Sequence, residues 1–232
     1  MYYVAALGSN NLDKKLAILY NNLNYIHNDI QTDFDVIINC YDNYDVINNY
    51  MTQFKFISNK MFHNKSGVLT ELFLTNPYNH MLKDYDYILF ILDDVEIQNV
   101  NINNMIAVKK KYNIEIISPG VINATHKFMY SHNNKILTIN NALEVFCLLL
   151  SYNDFVRFLS MHTIKNKWMW GADFLFGHYN IKAGVYFDNY VKHMLPSNSD
   201  HGNAFKLMNE YLKNHNINSI NDIKHVVDVI NV

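Results

Sequence analysis

Asp93 and Asp94 stand side by side at the end of an apolar and aromatic run, Asp84-Tyr-Asp-Tyr-Ile-Leu-Phe-Ile-Leu-Asp-Asp-Val-Glu-Ile97, and Glu96 follows two residues later. Adjacent carboxylates repel each other, so a position that presents both holds a cation or tunes a proton. The same residue types also form turns and helix caps, and the run alone divides evenly between the two readings. Two further segments and two single residues stand out. Lys65 lies in the loop His63-Asn-Lys-Ser-Gly67 before a helical stretch, where it is either solvated or meets a phosphate at a helix N-terminus. Trp168-Met-Trp-Gly-Ala-Asp173 sets aromatic rings beside an acid, which is either a platform for a sugar ring or a buried tryptophan pair with a capping aspartate. Glu144 is an isolated charge in an apolar stretch, and His193 is one of 11 histidines.

These residues need elements to position them. Tyr87 to Leu92 lacks polar alternation, which predicts a strand covered on both faces of an α/β sheet. Asp93 and Asp94 then fall just past its carboxyl end, where open α/β sheets bind ligands. The opening reads as strand Tyr2 to Leu7, helix with Leu12, Leu16, Leu19, Leu23 and Ile26 on one face, and strand Phe34 to Tyr41. This β-α-β order predicts parallel pairing. Further along, the pattern predicts a strand at Phe54 to Ser58, a helix over Val68 to Asn76, a helix over Asn99 to Tyr112 and a strand from Ile114 to Gly120. After these come a long helix from Leu143 to His162, a strand from Ile181 to Asp188, and two helices between Ala204 and Val232.

Composition narrows the classes. The chain has 232 residues, 50% hydrophobic, which suffices for a full core in one domain. A net charge of −2 gives no general attraction to nucleic acid or anionic membrane. Cys40 and Cys147 read as buried hydrophobes in a reducing compartment, and two cysteines are too few for a thiolate zinc cluster. No apolar stretch reaches the roughly 18 to 20 residues of a membrane span, and the N-terminus has no basic n-region, so the expectation is a soluble, cytoplasmic protein.

Taken together, these features resemble a known family. The β-α-β opening, the Asn-Lys-Ser-Gly loop, the strand into Leu92-Asp93-Asp94, the strand into Ser118-Pro119, Glu144, Trp170-Gly-Ala-Asp173, Asp188 and His193 follow the order found in GT-A glycosyltransferases. Over Tyr3 to Met208 the chain is similar to the small transferases of chloroviruses and other giant viruses and to related uncharacterised domains. The resemblance implies a single GT-A domain, a Rossmann-like α/β/α sandwich with a mixed, mostly parallel central sheet. Residues 1–97 would form the half that binds a nucleotide-sugar and residues 98–232 the acceptor-side half.

The resemblance further implies a divalent cation, usually Mn2+, held by a DXD motif and bridging the phosphates of the donor. Here Leu92 replaces the first acid, which leaves Asp94 as direct ligand and Asp93 as ligand or ribose contact, with Glu96 entering if the register is Asp94-Val-Glu96. His193 matches the late histidine that completes the metal sphere. Asp173 matches the acceptor-side acid, a base if the enzyme inverts, with Trp170 beside it for the acceptor. Gly8, Ser9, Tyr41 and Asp42 match the nucleobase and ribose loops, and Lys65 the loop near the diphosphate. The implied donor is a UDP-sugar and the acceptor a glycan or glycoprotein. A metal-dependent nucleotidyltransferase and a non-catalytic carbohydrate-binding domain are the alternatives.

Overall fold

The computed structural model describes residues 2–7, 10–30, 34–40, 42, 44–57, 60–64, 82–130, 135–163, 165–166, 169–195 and 201–231. Its β-α-β opening is built as the periodicity predicts. Strand β1 (Tyr2–Leu7) leads to helix α1 (Leu12–Ile30), which buries Leu16, Leu19, Leu23 and Ile26, and then to β2 (Asp35–Cys40), parallel to β1. A short helix, α2 (Tyr44–Met51), precedes β3 (Lys60–Asn64), which pairs parallel with β2. The third strand is thus Lys60–Asn64 rather than Phe54 to Ser58. Phe54 is instead a buried anchor in the turn after α2, its ring packed on Tyr50 and Phe56. The helix expected over Val68 to Asn76 lies outside the described residues.

Strand β4 (Ile88–Ile91) is buried at every position and runs parallel to β1. The apolar run does not continue as one strand into the acids. It breaks at a turn over Leu92 to Asp94, closed by Val95 N–H donating to the Leu92 carbonyl at 3.3 Å, and resumes as β5 (Val95–Asn99). Helix α3 (Ile102–Lys111) follows, N-capped by Asn101, whose side chain accepts from Asn104 N–H at 2.8 Å.

The second half is less parallel than expected. Strand β6 (Ile116–Ile122) is followed by β7 (Lys135–Asn140) and β8 (Cys147–Leu150), then by α4 (Tyr152–Ser160). The long helix expected from Leu143 to His162 is therefore a loop, a fully buried strand and a helix, with Ser151 and Asp154 forming a capping box at the break. Strand β9 (Ala183–His193) runs five residues past the expected end at Asp188. Helix α5 (His201–Asn214) comes next, and in place of a second terminal helix there is β10 (Val226–Asn231), antiparallel to β7.

The main path of the sheet has the order β10-β7-β9-β6-β8-β4-β1-β2-β3. Among the described residues the pairs β1–β2, β1–β4, β2–β3 and β6–β9 are parallel. The pairs β4–β8, β6–β8, β7–β9, β7–β10 and β5–β9 are antiparallel, so the sheet is mixed and only partly parallel. The reason is topological: β8 enters between β4 and β6 in the opposite sense, and the chain then returns through β9. Strand β9 serves two ladders along one edge. Ala183 to Tyr186 pair with β7, Tyr190 to His193 pair with β5, and the intervening residues bulge out of register with β6. Both cysteines are buried and free, and burial pushes each thiol up to about 12.

Candidate active site

The parallel strands β1, β2 and β4 end at Leu7, Cys40 and Ile91 on one edge of the sheet, so the turn carrying Asp93 and Asp94 sits at that edge. Antiparallel pairing of β5 with β9 sets Val95 opposite His193. It thereby joins two residues 99 apart in sequence: His193 Nε2 lies 3.0 Å from Asp94 Oδ2. The contact is held on both sides. Met194 N–H donates to the Asp94 carbonyl at 2.8 Å, and the Phe146 ring stacks on the imidazole with centroids 4.8 Å apart. The hydrogen bond with Asp94 is the largest influence on His193 and raises its pKa against the opposing effect of burial. Asp94 Oδ1 is buried and has no hydrogen-bond partner among the described residues.

Asp93 turns elsewhere, to an ion pair with Lys15 of α1 at 2.6 Å. Glu96 accepts from Asn21 Nδ2 at 2.6 Å on the same helix and is not drawn to Asp94. Beneath them, buried Asn22 clamps β5 to α1, donating to the Val95 carbonyl and accepting from Ile97 N–H, both at 2.8 Å. The turn is thus fixed from below by helix α1.

A second acidic centre adjoins the first. Gly171, at φ +92°, allows the tight turn that folds Asp173 back so that its Oδ1 accepts from Gly171 N–H at 2.8 Å. The Asp173 carbonyl accepts from Leu143 N–H at 2.8 Å, which places Glu144 alongside. Glu144 is 5% exposed; its Oε1 accepts from Thr125 N–H at 3.0 Å, and its Oε2 has no partner among the described residues. Burial, and after it the charge of Glu144, pushes the Asp173 carboxyl up to about 7. Burial likewise raises Glu144, opposed by hydrogen bonds from the Thr125 and His126 segment and by the charge of His193.

Residues 143–146 therefore link the two centres. Leu143 bonds to Asp173, Glu144 acts electrostatically on both Asp173 and His193, Phe146 stacks on His193, and the Phe146 carbonyl accepts from Leu92 N–H at 3.0 Å. The sequence singles out Glu144 without assigning it a role and gives no sign of Phe146 or Lys15. A lone carboxylate in an apolar run was the available signal for Glu144.

Of the other expected residues, Trp170 packs edge-on against Phe205 of α5, with centroids 5.2 Å apart. Asp42 stands two residues past the end of β2 and is partly buried. Asp188 is exposed, near the end of the β5–β9 ladder opposite His193. Gly8, Ser9, Tyr41 and Lys65 lie outside the described residues.

A divalent cation fits the donor set at the turn. One buried carboxylate oxygen has no partner, and an imidazole nitrogen stands beside it; oxygen with nitrogen suits manganese and related ions. No group of three His, Cys, Asp or Glu residues forms a ready metal cluster among the described residues. A two-ligand site is the kind that takes its remaining ligands from substrate phosphates and water.

A sheet whose parallel half ends at an acidic turn, with a late antiparallel strand returning a histidine to that turn, has the GT-A fold. Solved glycosyltransferase structures share it. GalNAc-T7 with UDP, GalNAc and Mn2+ matches with a TM-score of 0.60 and 7% identity over 95% of this chain and 55% of that one. S. aureus TarS 1–349 in complex with UDP-GlcNAc gives 0.57 and 12% over 92% and 66%. A further S. aureus TarS structure gives 0.53 and 11% over 92% and 43%. The chain spans less than two thirds of each of these chains. No family model matches the chain, and no curated protein matches its sequence. Among the described residues no helix is long and apolar enough to cross a membrane.

Proposed function

We propose that the chain is a metal-dependent glycosyltransferase that moves a sugar from a nucleoside diphosphate donor, a UDP-sugar, to a hydroxyl of a glycan. The observation that carries this reading is the 3.0 Å contact between Asp94 and His193, with a partnerless carboxylate oxygen beside it at the sheet edge. Mn2+, or another divalent ion held there, supplies charge neutralisation for the departing nucleoside diphosphate. UDP in the GalNAc-T7 structure and UDP-GlcNAc in the TarS structure favour a uridine donor.

In this reading Asp94 and His193 are the metal ligands. Asp93, held by Lys15, contacts the donor ribose or adds to the metal sphere. Gly8, Ser9, Tyr41 and Asp42 receive the nucleoside, and Lys65 the diphosphate. Trp170 and Asp173 serve the acceptor. Asp173 removes the proton from the attacking hydroxyl, and a carboxyl raised to about 7 is a stronger base than an ordinary aspartate while still ionised in half its copies at neutral pH. Residues 1–97 then carry the donor half and 98–232 the acceptor half.

The test is a thermal-shift panel of nucleoside diphosphates and nucleotide-sugars with and without manganese, since a ligand that binds only the folded state raises its melting temperature. It is joined to UDP-sugar hydrolysis by the parent, Asp94→Asn and His193→Ala. The expected result is a UDP response that needs manganese and hydrolysis that both variants lose while staying folded. Unchanged turnover in both variants would remove the metal assignment. Pyrophosphate release from a nucleoside triphosphate would replace the transferase with a nucleotidyltransferase, and ligand binding without turnover in the parent would leave a binding domain.

A further inference from the structure

Beyond β9, on the side of the sheet away from β1 and β2, lies a pocket with a volume of about 480 Å³ lined by His126, Lys127, Phe128, His225 and Val226. Its rings are ordered against each other. His126 and Phe128 lie 5° from parallel with centroids 5.4 Å apart, and Phe128 and His225 16° from parallel at 5.1 Å. Phe174 stands nearly perpendicular to His126 at 5.1 Å. The pocket is anchored to the acidic centre at two points and to the end of β7 at a third. Phe174 is the neighbour of Asp173; a backbone hydrogen bond ties the His126 segment to Glu144; and Asn141 binds the carbonyls of His225 and Lys224 at 2.8 and 3.0 Å.

We propose that this pocket binds a pyranose ring of the acceptor glycan. The C–H face of the sugar would lie on the part-exposed rings of His126 and His225, which the buried Phe128 holds near parallel, and His225 Nδ1 would take a hydroxyl. The inference rests on the transferase reading for the word acceptor, but not for the sugar. A pyranose suits the pocket because its two faces differ: one is apolar and stacks on aromatic rings, while the rim of hydroxyls needs polar partners. Both are supplied. His225 Nδ1 is buried without a partner among the described residues, and burial lowers the pKa of both His126 and His225, which favours neutral rings that accept as well as donate. Among the described residues Lys127 is the sole cation in the lining, which gives little hold on a diphosphate. A nucleobase would stack here too. The donor loops after β1 and β2, however, are separated from β7 and β10 by β4, β8, β6 and β9, leaving this side for the second substrate.

The experiment follows the ring-proton NMR signals of His126 and His225 in the full chain. The titrants are methyl glycosides of glucose, galactose, mannose and N-acetylglucosamine, with uridine as an aromatic control. The parent is compared with Phe128→Leu, which keeps an apolar side chain but removes the ring on which both histidines stack, and with Lys14→Ala, a change on the exposed face of α1 that leaves the pocket in place. The expected result is a saturable shift of both histidine signals by at least one glycoside, weakened about tenfold in Phe128→Leu, equivalent to ~1.4 kcal/mol, and retained in Lys14→Ala. No glycoside shift, an undiminished shift in folded Phe128→Leu, or a response to uridine alone would overturn the sugar pocket. The UDP melting response of the same samples separates the two readings. Glycoside binding without it keeps the pocket and removes the transferase; a UDP response without glycoside binding does the reverse.

Discussion

Replacing Asp173 with asparagine should stabilise the protein at alkaline pH and, on the proposed role of Asp173 as the base, sharply lower transfer. Burial, and after it the charge of Glu144, raises the Asp173 carboxyl from 3.8 to about 7. Between those values the folded chain keeps a proton that the unfolded chain has released. Stability therefore falls as pH rises through the interval, and the loss is complete above pH 7. A shift of ~3 units at 1.36 kcal/mol each sets a ceiling of about 4 kcal/mol. Solvent around this half-buried residue reduces the penalty to roughly 1–3 kcal/mol. Asparagine cannot ionise, yet its Oδ1 can still accept from Gly171 N–H, as Asp173 does at 2.8 Å. At pH 8 the variant should then melt higher than the parent, by about 2–4 °C for each kcal/mol in a chain of this size. At pH 4 the two should coincide. Urea titrations at both pH values give the free energies directly. Loss of a general base lowers the rate by roughly 10²–10⁴-fold, so a more stable protein that no longer transfers is the expected signature. A variant destabilised equally at pH 4 and pH 8 would refute the argument, because the charge of Asp173 would then contribute nothing.

Other expectations follow from the supports of the two acidic centres. Gly171→Ala places a side chain at φ +92° and 3.0 Å from Met208 Cγ, so it should cost about 1–3 kcal/mol in urea unfolding and lower turnover by moving Asp173. Asn22→Leu strands the Val95 carbonyl and Ile97 N–H and should cost roughly 2–4 kcal/mol, with amide exchange in β5 rising before that in β1. Lys109→Met removes a buried cation that binds Asp154 at 2.7 Å and the Ile114 carbonyl at 2.8 Å; an expected loss of about 2–4 kcal/mol is checked by denaturant midpoint, with UDP binding unchanged.

The parts of the fold that were legible are those in which local pattern and tertiary role coincide. Helix α1 buries the residues its spacing marks, and the apolar block before Asp93 is buried at every strand position. Cys147 to Leu150 was misread because an apolar strand runs into an amphipathic helix with no glycine or proline between them, so periodicity merges the two. Lys60 to Asn64 has little strand character of its own; its pairing with β2 is a tertiary decision. Strand β10 stands at one end of the main path, partly exposed along its length, and the pattern that β7 imposes on it is weak. The candidate site was legible as a list of residue types, and the resemblance supplied His193. The sequence could not supply the pairing of Val95 with His193 that makes the histidine a neighbour of Asp94, or the bridge through Glu144 and Phe146.

The divided pairing of β9 bears on how such a chain can change over generations. Its first part positions the edge on which β7 and β10 hang, its last residue faces Asp94, and the bulge between them sets the phase of one relative to the other. Because side chains alternate along a strand, inserting or deleting one residue between Tyr186 and Tyr190 would turn His193 to the opposite face of the sheet. Loops at the rim can lengthen without that penalty. The chain therefore has freedom to vary at its periphery and very little within this strand, where a change of length, more than a change of residue, would disconnect one half of the molecule from the other.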